Sequence, residues 1–162
     1  MSEISILSHF IFAFIATFGW TVFFNAPKED LIHCSLTGAI GWATYIILNK
    51  YTQNSVFSNF IASLIVTLIS EFLARKLKKP AILYIIPGII ALVPGLGIYN
   101  TMLNMIQGSY IKAIEIGTQV ALTAGAIVLG IVVVTSLVRT FYKIKNERKV
   151  KINNKEAKQK GN

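Results

Sequence analysis

The chain has 162 residues, 54% of them hydrophobic and 14% charged, with a mean hydropathy of +0.60. Those values exclude an ordinary soluble domain and place the chain among integral membrane proteins; a single cysteine, Cys34, leaves neither a disulfide framework nor a zinc site to be built. Most of the net charge of +9 comes from a C-terminal tail behind a long apolar segment, which points to an anionic membrane surface rather than to nucleic acid.

Residues 4–24 (ISILSHFIFAFIATFGWTVFF) are 21 residues without a charge, enough to cross a hydrocarbon core of about 30 Å. The chain begins MSEIS, without a basic start, and the run ends at Phe23-Phe24-Asn25 without a small-residue cleavage site. This first span is therefore expected to stay attached rather than to be removed as a signal peptide. Asn25-Ala26-Pro27-Lys28-Glu29-Asp30 marks a turn, and a second span covers 31–49. Lys50 to Ser55 is a short polar link to a third span over 56–74, which runs into Arg75-Lys76-Leu77-Lys78-Lys79.

The fourth apolar stretch, 80–106, carries Pro87-Gly88 and Pro94-Gly95, with Gly97 close behind. Proline removes an N–H and clashes with the carbonyl four residues back, and glycine loosens the same turn, so this helix is predicted to be broken. In hydrocarbon each freed backbone group is costly unless protein or a wet cavity satisfies it, so a double break at membrane depth is expected beside a site or pathway. A fifth span covers 113–138. The predicted architecture is all-α: a five-span domain over 1–138 and a basic tail over 139–162, the tail a helical extension fading into disorder.

With five crossings, one side receives Lys28, the four basic residues of 75–79 and the nine of the tail, and the other only Lys50 and Lys112. The basic side is expected to be cytoplasmic and the N-terminus external. Lys79 and Arg139 can share that side only if residues 80–138 cross twice, so the broken stretch is predicted to be a full crossing rather than a re-entrant loop.

Polar residues inside the spans fall at helical spacing. Asn59, Ser63, Thr67 and Glu71 recur every four residues in the third span, Asn100, Asn104 and Gln107 follow the break, and Glu115, Gln119 and Thr123 lie in the fifth span. Such stripes face a bundle interior or a wet cavity, or else bond to their own backbone and hold helices together. Glu71 is a coupling candidate, since burial raises a carboxyl toward the range useful for proton transfer; the alternative is an ion pair with Arg75, four residues on. Glu115 has an anchoring alternative with Lys112. Gly117, Ala121 and Gly125, and Gly38 with Gly41, read as close helix contacts. His9 and His33 stand alone as interface residues. No Ser/His/Asp set, phosphate loop or carboxylate pair is present, so transport is expected rather than catalysis, with no cofactor and no metal.

Pro80-Ala81 leading into IIPGIIALVPGLGIYNTM (85–102), preceded by NAPKEDLIHCSLTGAIGW (25–42), resembles the small-subunit, C-terminal half of the bacterial threonine/serine exporter family over roughly residues 5–138. The motif matches are Pro87, Gly88, Pro94, Gly95, Gly97 and Tyr99. The resemblance implies export of threonine and serine, or of a dicarboxylate such as succinate by a split pair, across the bacterial cell membrane and together with a larger membrane subunit. On this reading the segment after Pro94-Gly95 aims its N–H groups at a substrate carboxylate, with Asn100 or a partner residue reading the rest, and the basic tail meets anionic lipids. The alternative is a non-transporting scaffold or regulatory subunit that docks a partner through its small-residue faces.

Overall fold

The structure is a computed structural model that describes the backbone of residues 5–160 and the side chains of 5–144. It contains six α-helices: α1 (Ile6–Phe23), α2 (Leu31–Thr52), α3 (Ser55–Leu77), α4 (Ile82–Ile90), α5 (Gly95–Ile106) and α6 (Tyr110–Lys160), with one 3-10 turn over Lys28–Asp30 before α2. Four of the helices are individually long and apolar enough to cross a membrane, and α4 with α5, bent by 56°, are together long and apolar enough to make a fifth candidate span. The all-helical, five-span architecture read from the sequence is the one observed. The last helix continues past 138 as far as Lys160; the Lys-, Glu- and Arg-rich composition of that stretch suits a helix even where it cannot bury one.

The turns explain why the helices end where they do. After α1, Asn25 takes a left-handed conformation (φ 54°), and Ala26 N donates to Thr21 O across the last turn. This arrangement closes a helix with a left-handed residue, and Pro27 then prevents continuation. Lys78 (φ 55°), Lys79 N donating to Ala74 O, and Pro80 repeat the device after α3. Asn tolerates the left-handed region better than most residues, and valine does not. Asn25→Val is accordingly expected to lower stability by about 1–2 kcal/mol, and Asn25→Gly to leave it within a few tenths, read as shifts in the denaturant midpoint of the purified protein. Between α2 and α3 the reversal is shorter: Gln53 is left-handed, and the Asn54 side chain caps α3 by accepting from Phe57 N at 3.0 Å.

Pairwise contacts fix the path of the chain. Residue n of α3 meets residue n+67 of α6, as Ser63 lies against Gly130 and the Arg75 guanidinium over the Tyr142 ring. A constant difference means that α3 and α6 run in the same direction. Gly97 against Val120 and Thr101 against Gly117 make α5 and α6 antiparallel. The ends of α3 and α6 that bear Arg75 and Tyr142 thus lie on one side, so α4, α5 and their bend cross between them. Helices α4 and α5 therefore lead from one end of the α3–α6 pair to the other, and they do not pack on each other as a re-entrant hairpin would.

Small residues set the spacing. Gly41 of α2 and Gly88 of α4 both lie against the Val66 side chain of α3, and Gly38 lies against Thr17 of α1. Around Val66 the core continues through Ala62, Leu92 and Ile127. Of the small-residue stripe in the fifth span, Gly117 is a helix contact, whereas a Cβ at Gly125 would meet nothing within 4 Å.

Candidate functional site

The two Pro-Gly pairs do different things. Pro87 lies inside α4 and leaves Leu83 O without its helical donor. The thiol of Cys34, in α2, donates to that carbonyl at 3.4 Å, and Cys34 is fully buried. The orphan created by Pro87 is thus satisfied by a side chain, as the hydrocarbon environment requires. Gly88 makes the close contact with Val66. Pro87 and Gly88, expected at a pathway, therefore sit in helix packing.

Pro94 instead opens the chain. It caps α5 (φ −76°, ψ 58°), Gly95 N turns back to Val93 O at 2.8 Å, and Ile98 N reaches Pro94 O at 3.1 Å. Leu96 and Gly97 N–H have no hydrogen-bond partner among the described residues, which leaves two donors at a half-helix N-terminus. The first turn of α5 borders two adjoining cavities. One, of about 440 Å³, is lined by Pro94, Gly97, Lys112, Glu115, Gln119 and Thr123, among others. The other, of about 280 Å³, includes Pro94, Gly95, Gly97, Trp42, Tyr45 and Asn59. Ser55 and Thr123 belong to both. The sequence-derived candidates Asn59, Gln119, Thr123, Pro94, Gly95 and Gly97 thus come from α3, α6 and α5 to one place.

The remaining candidates fall elsewhere. Tyr99 is exposed, Asn100 and Asn104 are partly buried on α5, and Asn104 Nδ2 donates to Asn100 O. None of the three lines either cavity. Ser63 and Thr67 are buried and donate to Phe60 O and Ser63 O of their own helix, the backbone-bonded alternative for a polar stripe. Glu71 lies about 18 Å from Asn59 along α3, at about 1.5 Å per residue. Its Oε2 accepts from Arg75 at 3.1 Å, and Arg75 lies 3.5 Å from the Tyr142 ring centroid. Glu71 therefore has the ion pair weighed for it, in a groove separate from the cavities at the break.

Glu115, the first member of the fifth-span stripe, lines the larger cavity together with Lys112, and the two form no ion pair among the described residues. Three contributors lie outside the stripes: Lys112, and Trp42 and Tyr45, which reach the smaller cavity from α2 with ring centroids 5.2 Å apart. A second polar cluster sits at the basic side. Asp30, 1% exposed, accepts from Lys79 Nζ at 2.6 Å and from the buried Tyr84 hydroxyl at 2.7 Å. Glu29 Oε2 lies 3.3 Å from the same ammonium. The hydrogen bond to Asp30, reinforced by Glu29, raises Lys79 above its ordinary range against the opposing pull of desolvation. Only the turn-forming motif hinted at this cluster, because its members are 49 and 54 residues apart in the chain.

A protein-family model described as "Threonine/Serine exporter, ThrE" matches residues 9–137. An uncharacterized protein of Haemophilus influenzae (strain ATCC 51907 / DSM 11121 / KW20 / Rd) is 26% identical over 104 residues, which is 64% of this chain. The match spans only 35% of that relative's length. No solved structure matches the chain.

Proposed function

The chain belongs to the threonine/serine exporter family, and we propose from that premise that the cavities at the break of the fourth span form the substrate site of a secondary exporter for small carboxylates. The observation that carries this reading is a half-helix N-terminus with two unpartnered N–H groups, bordering cavities lined by Asn59, Gln119 and Thr123. Such an N-terminus favours a carboxylate, since its amides and dipole both present positive charge. Lys112 adds a second positive group on the same wall, and Glu115 supplies a partner for the ammonium of an amino acid. Gln119 is the candidate for a side-chain hydroxyl, while the Asn59 amide and the Thr123 hydroxyl donate to Ser55 O and Gln119 O of their own helices and keep only their oxygens to accept from one.

A zwitterion and a dicarboxylate differ in their need for Glu115, and the difference provides the test. In proteoliposomes, Glu115→Gln is expected to raise the KM for radiolabelled serine or threonine efflux about tenfold while leaving succinate efflux unchanged or faster. Equal effects on all three would remove Glu115 from ammonium recognition. With the larger subunit also present, serine, threonine and succinate efflux that are each indistinguishable from empty vesicles would overturn the substrate reading.

A larger membrane subunit completes the proposed exporter. Among the described residues α5 packs against α6 and no other helix, and no residue of α5 is buried. Leu96, Ile98, Met102 and Ile106 are exposed along it. A second five-span body seated there would wall the cavities on their open side. In the proposed setting, a bacterial cell membrane, the side bearing Lys28, Lys79 and Arg139 faces the cytoplasm, and anionic lipids meet the basic tail.

A further inference from the structure

The cavities at the break and the Asp30 cluster occupy opposite ends of the same bundle. Ser55 opens α3 and Lys112 lies in the first turn of α6, so the larger cavity reaches the ends of those helices remote from the basic loops. Toward the basic side the route from Pro94 is filled: Leu92, Val66 and Ile127 form a buried cluster, and Gly88 lies against Val66 and Thr37. Beyond that packing, three contacts fasten the start of α4. Tyr84 and Lys79 both hydrogen-bond to Asp30, and Cys34 donates to Leu83 O. All three join α4 and its lead-in to the first connection and α2.

A transporter whose site lies toward one end of its bundle must in turn admit substrate from that end and from the other. The element that could open the other end is α4: it packs against α1, α2 and α3 but not against α5, to which it is joined by a bent, proline-containing link, so once released from α2 it can pivot at residues 91–94 independently of α5. We propose that Asp30, Lys79 and Tyr84 form the latch of the basic-side gate, holding α4 against α2 while the cavity is open on the opposite side. Releasing the latch lets α4 swing away from α2 as the opposite side closes. The proposal rests on the transporter reading, but its readout needs no substrate.

Cys34 is a built-in reporter. It is 0% exposed, belongs to one buried cluster with Tyr84 and Ala74, and is the only cysteine of the chain. In purified full-length protein in liposomes, maleimide modification of Cys34 is expected to be slow, and to accelerate at least tenfold in Tyr84→Phe and in Asp30→Asn. The opposite side is read separately, in Cys34→Ser protein carrying Gln119→Cys, where the same latch substitutions should slow labelling at least threefold. Reversing the charges with Asp30→Lys and Lys79→Asp together should bring both rates back toward those of the unaltered latch. Unchanged Cys34 labelling in both variants would overturn the proposal. So would faster labelling of both thiols, since that pattern means loosened packing rather than two coupled gates. Reciprocal labelling together with no efflux of serine, threonine or succinate from vesicles that also hold the larger subunit would support the latch and overturn the substrate assignment alone.

Discussion

Gly95→Leu is expected to abolish export while leaving the protein inserted and folded. Gly95 is the first residue of α5, where the second half of the broken span starts. A Cβ built at this position meets nothing within 4 Å, and the residue is exposed toward the smaller cavity. A leucine there has no helix to displace, so the unfolding midpoint should move by no more than that of an ordinary surface substitution, about 0.5 kcal/mol. Its side chain instead enters the open space at the first turn of α5, beside the smaller cavity. Efflux in proteoliposomes should fall by at least a factor of about 100, equivalent to about 2.7 kcal/mol lost at the site. Gly95→Ala, which adds one methyl group to the same open space, should retain a measurable fraction of the rate. A fully active Gly95→Leu protein would separate the break from the transport path.

The contrast between this glycine and Gly88 shows what the sequence could and could not tell. Span number, the broken fourth helix and its passage from one end of the bundle to the other were legible, because hydropathy, proline chemistry and the distribution of lysine and arginine are properties of segments. The two Pro-Gly pairs looked equivalent because proline has the same local effect wherever it stands. Their difference lies in what stands opposite: Cys34 and Val66 face the first pair, and open space lies in front of the second. Helical spacing likewise placed Asn59, Ser63, Thr67 and Glu71 on one face but could not say how far the cavity extends along it. Only Asn59 lines it; Asn59 and Ser63 both donate to the backbone of α3, and Glu71 meets Arg75. Asp30, Lys79 and Tyr84 were hidden for a different reason. Each belongs to a loop or helix start with a sufficient local role of its own, and only the parallel packing of α2 with α4 brings them together.

Gly88→Leu should therefore do the reverse of Gly95→Leu, damaging the fold first and transport as a consequence. A Cβ at Gly88 would lie 2.8 Å from a methyl of Val66 and 3.1 Å from one of Thr37. Both neighbours are buried and β-branched, with χ1 held by their helices, so neither can swing aside. Accommodating four extra carbons requires α4 to separate from α2 and α3, and overpacking of this kind costs about 1–3 kcal/mol or more. Separation also draws Leu83 away from the Cys34 thiol and Tyr84 away from Asp30, which adds the cost of leaving a buried carboxylate short of a donor. The expected result is a fall in the denaturant midpoint equivalent to at least about 3 kcal/mol, with reduced yield of inserted protein. The smaller substitution Gly88→Ala should cost about 1 kcal/mol, and adding Val66→Ala should recover part of that loss by removing the methyl group that the new Cβ meets. Full stability of Gly88→Leu would mean that α2, α3 and α4 do not approach as closely as Gly41, Val66 and Gly88 require.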